Sequence, residues 1–168
     1  MRTLYLLCGL SFSGKSTLAR ALLASRALGY ISLDAINHER GVGFGGDGIP
    51  VEEWERTHDV ARERLATLAA SGQDVLLDDT CCFRWLRDRW RAQARELGYR
   101  TQLIYLDTPR EELERRRARN EQSQERRGIQ DAIFLEHVSS FEPPMADEPT
   151  LRFTPRDEPS SWIKTHLG

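Results

Sequence analysis

Apolar residues fall into five short runs along the chain, separated by longer stretches with helical spacing. The runs end at turn residues and predict strands at about 3–8, 29–33, 74–78, 101–106 and 149–153. Between them, apolar positions recur every three or four residues, which predicts helices after Lys15, from Val51 to Gly72, from Phe83 to Gly98, from Thr108 onward and from Ile129 to about Phe141. Strands that alternate with helices predict a five-stranded parallel sheet covered on both faces, an α/β/α sandwich.

Two segments do not follow either pattern. Residues 41–50 (GVGFGGDGIP) are rich in glycine, and residues 120–128 (NEQSQERRG) are strongly polar. Neither composition suits a packed core. We therefore predict that both segments are mobile lids beside a binding site.

Composition limits the class of protein. The 168 residues suffice for one domain, and a charge of −2 with 39% hydrophobic and 30% charged residues is typical of a globular protein. No apolar run is long enough for a membrane span, and no cleavage signal follows the N-terminus. We predict a single cytoplasmic domain, residues 1–168, that is monomeric and does not associate with a membrane.

The first predicted strand leads into Gly9–Ser16, which reads GLSFSGKS and satisfies the pattern G-x-x-x-x-G-K-[ST]. A glycine-rich turn at a helix N-terminus presents backbone N–H groups and a positive dipole to phosphate. Lys15 is one of only two lysines against 22 arginines, so its presence in this pattern is strong support. We predict a phosphate-binding loop (P-loop, or Walker A motif) that binds the nucleotide through Gly9, Ser11, Phe12, Ser13, Gly14, Lys15, Ser16 and Thr17.

A triphosphate that carries Mg²⁺ also needs a carboxylate from a neighbouring strand. The strand in 74–80 ends in Asp78 and Asp79, which strand alternation directs to opposite sides. We predict that Ser16 and Asp78 hold Mg²⁺, while Asp79 caps the following helix or has a second role.

Asp34 ends the second predicted strand, at the edge of the sheet where open α/β folds bind ligands. A carboxylate there would accept the proton of an attacking hydroxyl. The alternative is that Asp34 only caps the short turn at 35–40.

Arginines that close over a transferred phosphoryl group are expected in the charged segment near the lid. Seven arginines and five acidic residues lie between 110 and 127. We predict a lid at about 115–128 with Arg116, Arg119 and Arg126 as the phosphate contacts. The alternative is a solvated helix held by glutamate–arginine pairs.

With the P-loop, the two strand-end aspartates and the charged segment together, the chain resembles the small P-loop kinases, in particular the AAA-domain kinase-like group. That group includes polynucleotide 5′-kinase domains, chloramphenicol phosphotransferase, zeta-toxin-like kinases and the kinase that phosphorylates seryl-tRNA. The resemblance covers nearly the whole chain and rests on GLSFSGKSTLA, ISLDAI, DVLLDDTCCFRWLRDRWRAQARELGY, LIYLDTPREELERRRARN and FEPP, in the order of the family. It implies a nucleoside-kinase-like fold with a helical lid, ATP as phosphoryl donor, and Asp34 as the base.

The resemblance implies an ATP- and Mg²⁺-dependent kinase that phosphorylates a hydroxyl of a small molecule. We predict an acceptor-side region at about 35–60, with lining residues Asp34, Phe44, Asp47, Trp54 and Arg84. His38 and His58 are either further contacts or solvated side chains.

Two other functions remain open from the sequence. A kinase for polynucleotide ends or tRNA would use the thirteen arginines between 84 and 127. However, Asn37 and His38 stand where polynucleotide kinases carry an arginine, which argues against such an acceptor. The other alternative is an ATP-binding regulatory module without a phosphoryl acceptor.

Overall fold

The computed structural model describes residues 2–168, and within them five parallel strands form a sheet in the order β2-β3-β1-β4-β5. The strands are β1 (Arg2–Cys8), β2 (Gly29–Ser32), β3 (Val75–Asp78), β4 (Tyr99–Leu106) and β5 (Thr150–Phe153). The helices are α1 (Lys15–Ser25), α2 (Leu33–Glu39), α3 (Val51–Ala70), α4 (Arg84–Glu96), α5 (Arg110–Ser123), α6 (Asp131–Ser140) and α7 (Pro159–Leu167). The predicted α/β sandwich and all five predicted strands are confirmed.

Apolar side chains pack on both faces of the sheet, as a parallel sheet requires. On one face, Leu4 and Leu6 of β1 pack with Leu65 of α3 and Trp90 of α4. On the other face, β1 packs with α1 and α7 through a second set of buried residues, which includes Tyr5, Leu7, Leu18, Leu22 and Trp162. Trp90 is buried in this first cluster.

Two helices were not predicted. Residues 33–39 form α2, whereas the sequence suggested only a short turn there. The last residues form α7, in which Pro159 takes the first helical turn and Glu158 accepts the N–H groups of Ser160 and Ser161. Both helices are short, so neither offers enough repeats for the periodicity to stand out.

A third, smaller apolar cluster joins the lid to the P-loop. Phe12 of the loop is buried with Leu113 of α5 and Phe134 of α6. This cluster holds α5 and α6 against the loop that follows β1. Within residues 2–168, no helix has the length and apolar character needed to cross a membrane.

Candidate nucleotide-binding and phosphoryl-transfer site

The P-loop connects the end of β1 to the start of α1. Gly14 adopts a φ of 103°, which an L side chain rarely tolerates, and its carbonyl accepts the first N–H groups of α1, from Thr17 and Leu18. The Lys15 ammonium donates to the carbonyls of Gly9 and Leu10 at 2.7 and 3.1 Å. Lys15 therefore closes the loop on itself, and its donors lie where phosphate oxygens would take over from the two carbonyls.

Gly9 is required by close packing at the start of the loop. A Cβ atom there would lie 2.8 Å from the Ser13 hydroxyl and 3.0 Å from Cβ of Leu106. The Ser13 hydroxyl is buried and lacks a hydrogen-bond partner among the described residues. The Gly9 amide donates to the carbonyl of Thr80 at 3.0 Å, so the P-loop is anchored to the segment that follows β3.

The two aspartates at the end of β3 have different surroundings. Asp78 accepts a hydrogen bond from the Tyr30 hydroxyl at 2.8 Å. Burial raises the pKa of Asp78, while the Lys15 charge and the Tyr30 hydrogen bond act in the opposite direction. Asp78 is thus a partly exposed carboxylate within the electrostatic reach of the P-loop lysine.

Asp79 is nearly fully buried and faces α3. Its Oδ2 lies 3.8 Å from Nε2 of His58, and its Oδ1 accepts the amide of Thr80 at 2.7 Å. Burial by itself would raise the pKa of Asp79, but the nearby His58 imidazole and the hydrogen bond from the Thr80 amide lower it. Burial by itself would also lower the pKa of His58, and Asp79 raises it instead.

This pair answers one of the questions that the sequence left open. The His58 side chain is only 11% exposed; its ring lies beside that of Trp90, with centroids 5.8 Å apart, and it gives Asp79 a structural partner. The Thr80 amide donates to Asp79, and the Thr80 carbonyl accepts the Gly9 amide. Asp79 therefore helps to hold the P-loop in place.

Asp34 lies in the first turn of α2, but it does not cap that helix. The N-cap is Ser32, whose hydroxyl accepts the amide of Ala35 at 3.2 Å. The Asp34 carboxylate instead accepts the amide of Gly45 at 2.9 Å through Oδ1. The capping alternative is therefore wrong, and Asp34 connects α2 to the glycine-rich segment.

The glycine-rich segment contains a short 3-10 helix, Gly45–Asp47. We call Phe44 and this helix the acceptor loop, after the acceptor-side region predicted at about 35–60. Phe44 stacks on His38 at 5.0 Å between ring centroids, and the Arg127 guanidinium lies 4.4 Å from the Phe44 ring centroid on the lid side. Arg127 also donates to Asp47 at 2.7 Å. The acceptor loop is thereby joined directly to the lid, which the sequence did not predict.

Trp54 supports the same loop from α3. A Cβ atom on Gly45 would lie 3.4 Å from the Trp54 indole and 3.1 Å from Oδ1 of Asp34. The structure thus brings Asp34, Phe44, Asp47 and Trp54 together around one loop. Arg84 is not part of this group: it donates to Asp88 at 3.0 Å and to Asp147 at 3.0 and 3.1 Å.

The three predicted lid arginines differ in their contacts. Arg116 donates to the backbone carbonyl of Phe12 at 3.1 Å and to Glu112 at 2.6 Å. The Arg126 guanidinium lies 4.3 Å from the Phe12 ring centroid. Loss of water around it lowers the pKa of Arg126, while the charge of Asp34 raises it. Arg119 is exposed on α5 and has no hydrogen bond or ion pair within residues 2–168.

Asn37 and Arg40 have structural roles. Asn37 is fully buried and accepts a hydrogen bond from Thr57 of α3. Arg40 donates to Thr57 at 2.7 Å and forms an ion pair with Glu53 at 2.5 Å. These contacts fix α2 against α3, and they explain why the residues after Asp34 are polar without contacting the cleft.

A buried ion-pair network was also missed. Arg87 is fully buried and donates to both carboxylate oxygens of Glu148 at 2.7 and 2.9 Å, and to the carbonyls of Cys81 and Glu142. Glu142 belongs to the FEPP motif, and its amide donates to the carbonyl of Cys82 at 2.8 Å. The motif is therefore bound to the start of α4. In a sequence with 22 arginines, nothing distinguished Arg87 from its solvated neighbours.

The fold and the P-loop together define a P-loop protein of the small-kinase type. Residues 4–144 match the family described as an AAA domain, and the chain belongs to that family. No protein with a curated description shows significant sequence similarity to the chain.

Several solved structures share the fold, among them the following three. An unliganded sugar kinase from Janibacter sp. HTCC2649 is 21% identical with a TM-score of 0.73, over 99% of this chain and 92% of that one. The APS kinase CysC of Mycobacterium tuberculosis, in complex with AMPPNP and APS, is 20% identical with a TM-score of 0.70, over 99% and 95%. Chaetomium thermophilum Kti12, in complex with ADP-AlF3, is 20% identical with a TM-score of 0.70, over 96% and 94%. At this identity the likeness concerns the fold.

Proposed function

We propose that the protein is an ATP- and Mg²⁺-dependent phosphotransferase that moves the γ-phosphate to a hydroxyl of a small molecule. The observation that carries the proposal is that Lys15 and Asp34 follow the carboxyl ends of β1 and β2, on either side of β3, which ends at Asp78. The charges of both residues shift the pKa of Asp78, on the sheet, and of His137, on α6. A phosphate-binding lysine and a free carboxylate within reach of the same groups suit phosphoryl transfer to a hydroxyl.

The phosphate-binding end of the cleft fits a nucleotide. The Gly9–Ser16 loop would hold the polyphosphate through its backbone N–H groups and the N-terminus of α1. Lys15 would exchange its two carbonyl partners for β- and γ-phosphate oxygens. Nucleotide complexes of structures with the same fold, with AMPPNP and with ADP-AlF3, support this assignment.

The donor set also fits Mg²⁺. Within the described residues, no group of three or more His, Cys, Asp or Glu side chains could hold a metal ion alone. Mg²⁺ in kinases is held by one or two protein oxygens together with phosphates and water, and we assign the Ser16 hydroxyl and the Asp78 carboxylate to it. When bound, the ion would neutralise charge that develops on the phosphates.

Asp34 would orient the acceptor. Its Oδ1 accepts the amide of Gly45, while Oδ2 has no hydrogen bond from the described residues. That free oxygen would accept the proton of the attacking hydroxyl. Arg116 and Arg126, which contact the backbone and ring of Phe12, would stabilise the charge of the transferring group.

The surface charges favour a small acceptor over a polynucleotide. Nine of the thirteen arginines between 84 and 127 form ion pairs, namely Arg84, Arg87, Arg89, Arg91, Arg110, Arg115, Arg116, Arg117 and Arg127. Arginines engaged in this way offer few free charges for phosphates along a nucleic acid. The contact between Arg127 and Asp47 also narrows the acceptor side of the cleft.

The test is ATP consumption with Mg²⁺ against a panel of nucleosides, aminoglycosides, other hydroxylated antibiotics, sugars and 5′-hydroxyl oligonucleotides. One class of acceptor should stimulate turnover, and Asp34→Asn should abolish the stimulation without changing ATP affinity. Asp59→Asn, an exposed aspartate of α3 paired with Arg62, serves as a control that should behave like the wild type.

Two results would overturn the proposal. Stimulation by oligonucleotides alone would assign the protein to the polynucleotide kinases instead. ATP binding with no acceptor-dependent turnover across the panel would favour an ATP-binding module.

A further inference from the structure

Helix α6 contacts both the acceptor loop and the P-loop. At its start, the Gln130 amide donates to the carbonyl of Gly46 at 3.4 Å. One turn further on, the Phe134 ring meets the Phe12 ring edge-on, with centroids 6.4 Å apart. The face of α6 that carries Phe134 therefore looks onto the phosphate-binding loop.

His137 lies on this face. It follows Phe134 by three residues, and its neighbour Val138 packs against the same cluster as Phe12. The Nδ1 atom of His137 is buried and has no hydrogen-bond partner within the described residues. Nε2 also has no such partner, yet it is not buried, so it is accessible to a ligand.

Two charged residues of the proposed reaction site, Lys15 and Asp34, influence the pKa of His137. Burial lowers the pKa of His137; Glu136 and Asp34 raise it, and Lys15 lowers it, with a net downward shift. The imidazole is therefore neutral at neutral pH. In the tautomer that carries its proton on Nε2, the buried Nδ1 needs no partner for an N–H, and the accessible nitrogen is a hydrogen-bond donor.

We infer that His137 is a further residue of the phosphoryl-transfer site, whose Nε2–H donates a hydrogen bond to an oxygen of the transferring phosphoryl group. This inference rests on the proposed kinase function. It follows from the place of α6 beside Phe12 and from the accessible Nε2, and the influence of the Lys15 and Asp34 charges on the pKa of His137 supports it. Burial of Nδ1 leaves the ring one productive orientation.

A fixed neutral donor suits this position. Charge develops on the phosphoryl oxygens during transfer, and a donor that is already oriented stabilises it without reorganisation. Burial and the Lys15 charge lower the pKa of His137 and so favour a neutral imidazole, which still donates through its N–H. The contribution should therefore appear in the transition state more than in nucleotide binding.

The experiment compares binding of Mg·ADP with binding of Mg·ADP plus aluminium fluoride, which mimics the transferring phosphoryl group. Calorimetry would be done on the wild type, His137→Ala, His137→Gln and Leu135→Ala. Leu135 is an exposed residue of the same helix and serves as the matched control. Glutamine carries an N–H donor at a reach similar to Nε2.

We expect His137→Ala to bind Mg·ADP as the wild type does but to bind the aluminium fluoride complex about 10-fold or more weakly. His137→Gln should recover most of that affinity, and Leu135→Ala should change neither. In the wild type, the histidine side-chain ¹H–¹⁵N spectrum should show a shift of the His137 Nε2–H only when aluminium fluoride is added. The protein has four histidines, and the His137→Gln spectrum assigns the signal.

The outcomes separate the two proposals. If the wild type fails to bind Mg·ADP, the proposed function itself is overturned. If nucleotide binds and His137→Ala weakens neither complex, or weakens both equally, only the role of His137 is overturned. An unshifted His137 signal in the wild type would overturn it as well, and this result does not depend on any variant folding.

Discussion

The guanidinium of Arg126 lies over the ring of Phe12, with Cζ 4.3 Å from the ring centroid. This contact joins the lid to the P-loop, and the lid backbone is fixed beside it because Asn120 exchanges two hydrogen bonds of 2.9 Å with the backbone of Arg126. A cation held by an aromatic face, not by a carboxylate, can be transferred to a phosphate at little cost. The arrangement suits the role proposed for Arg126 at the transferring phosphoryl group.

Substitution of Arg126 tests this arrangement. Arg126→Ala should reduce turnover with ATP about 10-fold to 100-fold, because the cation would stabilise the transferring group. Arg126→Lys should restore little of the lost turnover, since lysine lacks the planar guanidinium with its fixed set of donors. Arg95→Ala removes an exposed arginine of α4 and should have no effect. Equal turnover in Arg126→Ala and Arg95→Ala would show that Arg126 does not contact the phosphoryl group.

Lys15 is the second test of the P-loop assignment. Lys15→Ala removes the donor that bridges the Gly9 and Leu10 carbonyls and should abolish ATP binding measured by calorimetry. Lys164→Ala, which removes the only other lysine, from an exposed position on α7, is the control. ATP affinity unchanged in Lys15→Ala would refute the phosphate-binding role of the loop.

Asp78 and Asp79 should respond differently to the same substitution. Asp78→Asn should raise the Mg²⁺ concentration needed for half-maximal turnover, because a hard oxygen ligand is lost. Asp79→Asn should instead lower the melting temperature, since it weakens the contact with His58 that supports Thr80 and the loop. The reverse pattern, with the Mg²⁺ requirement moved by Asp79→Asn alone, would transfer the metal role to Asp79.

Glu148 should be important for stability. Glu148→Gln removes the negative charge that neutralises fully buried Arg87 and should lower the free energy of unfolding by about 3–5 kcal/mol. Urea denaturation measures this loss. Asp147→Asn, which weakens an exposed partner of Arg84, should change the midpoint little. A Glu148→Gln protein as stable as the wild type would mean that the buried pair contributes no net stability.

The low pKa of Glu148 predicts that the stability of the protein depends on pH. Burial alone would raise the pKa of Glu148, but hydrogen bonds from Arg87 and Arg91 lower it to about 2. The pKa of glutamate in an unfolded chain is about 4.3. Because the pKa in the folded state is lower, the folded protein binds the proton less readily. The stabilising contribution of Glu148 is complete above the unfolded value and is lost as the pH falls toward about 2. The stability difference between wild type and Glu148→Gln should therefore shrink below about pH 4.

The contact between Arg127 and Asp47 should control the acceptor loop. Asp47→Asn removes the charge that Arg127 binds and the carboxylate that accepts the Phe44 amide at 2.9 Å. Amide hydrogen exchange in residues 44–48 and 128–131 should become faster, while exchange in the sheet stays unchanged. Exchange that is unchanged in both segments would show that the ion pair does not hold the loop to the lid.

Local chemistry made much of the fold and part of the site predictable. The strands, the long helices and the P-loop depend on spacing within a few residues, and Gly9, Gly14 and Lys15 can be recognised because a phosphate loop needs those residue types in that order. Asp34 and Asp78 could be placed at one edge because parallel strands bring their carboxyl ends together.

Contacts between distant segments could be decided only by the tertiary structure. The sequence did not show that Arg127 meets Phe44, that His58 meets Asp79, or that Arg87 is the buried arginine, since each pair is made by elements far apart in the chain. His137 carried no recognisable pattern, because its meaning depends on the packing of α6 against Phe12. Hydrophobic periodicity and motif spacing are properties of neighbours in sequence, whereas the partners of a charge are set by how the helices pack on the sheet.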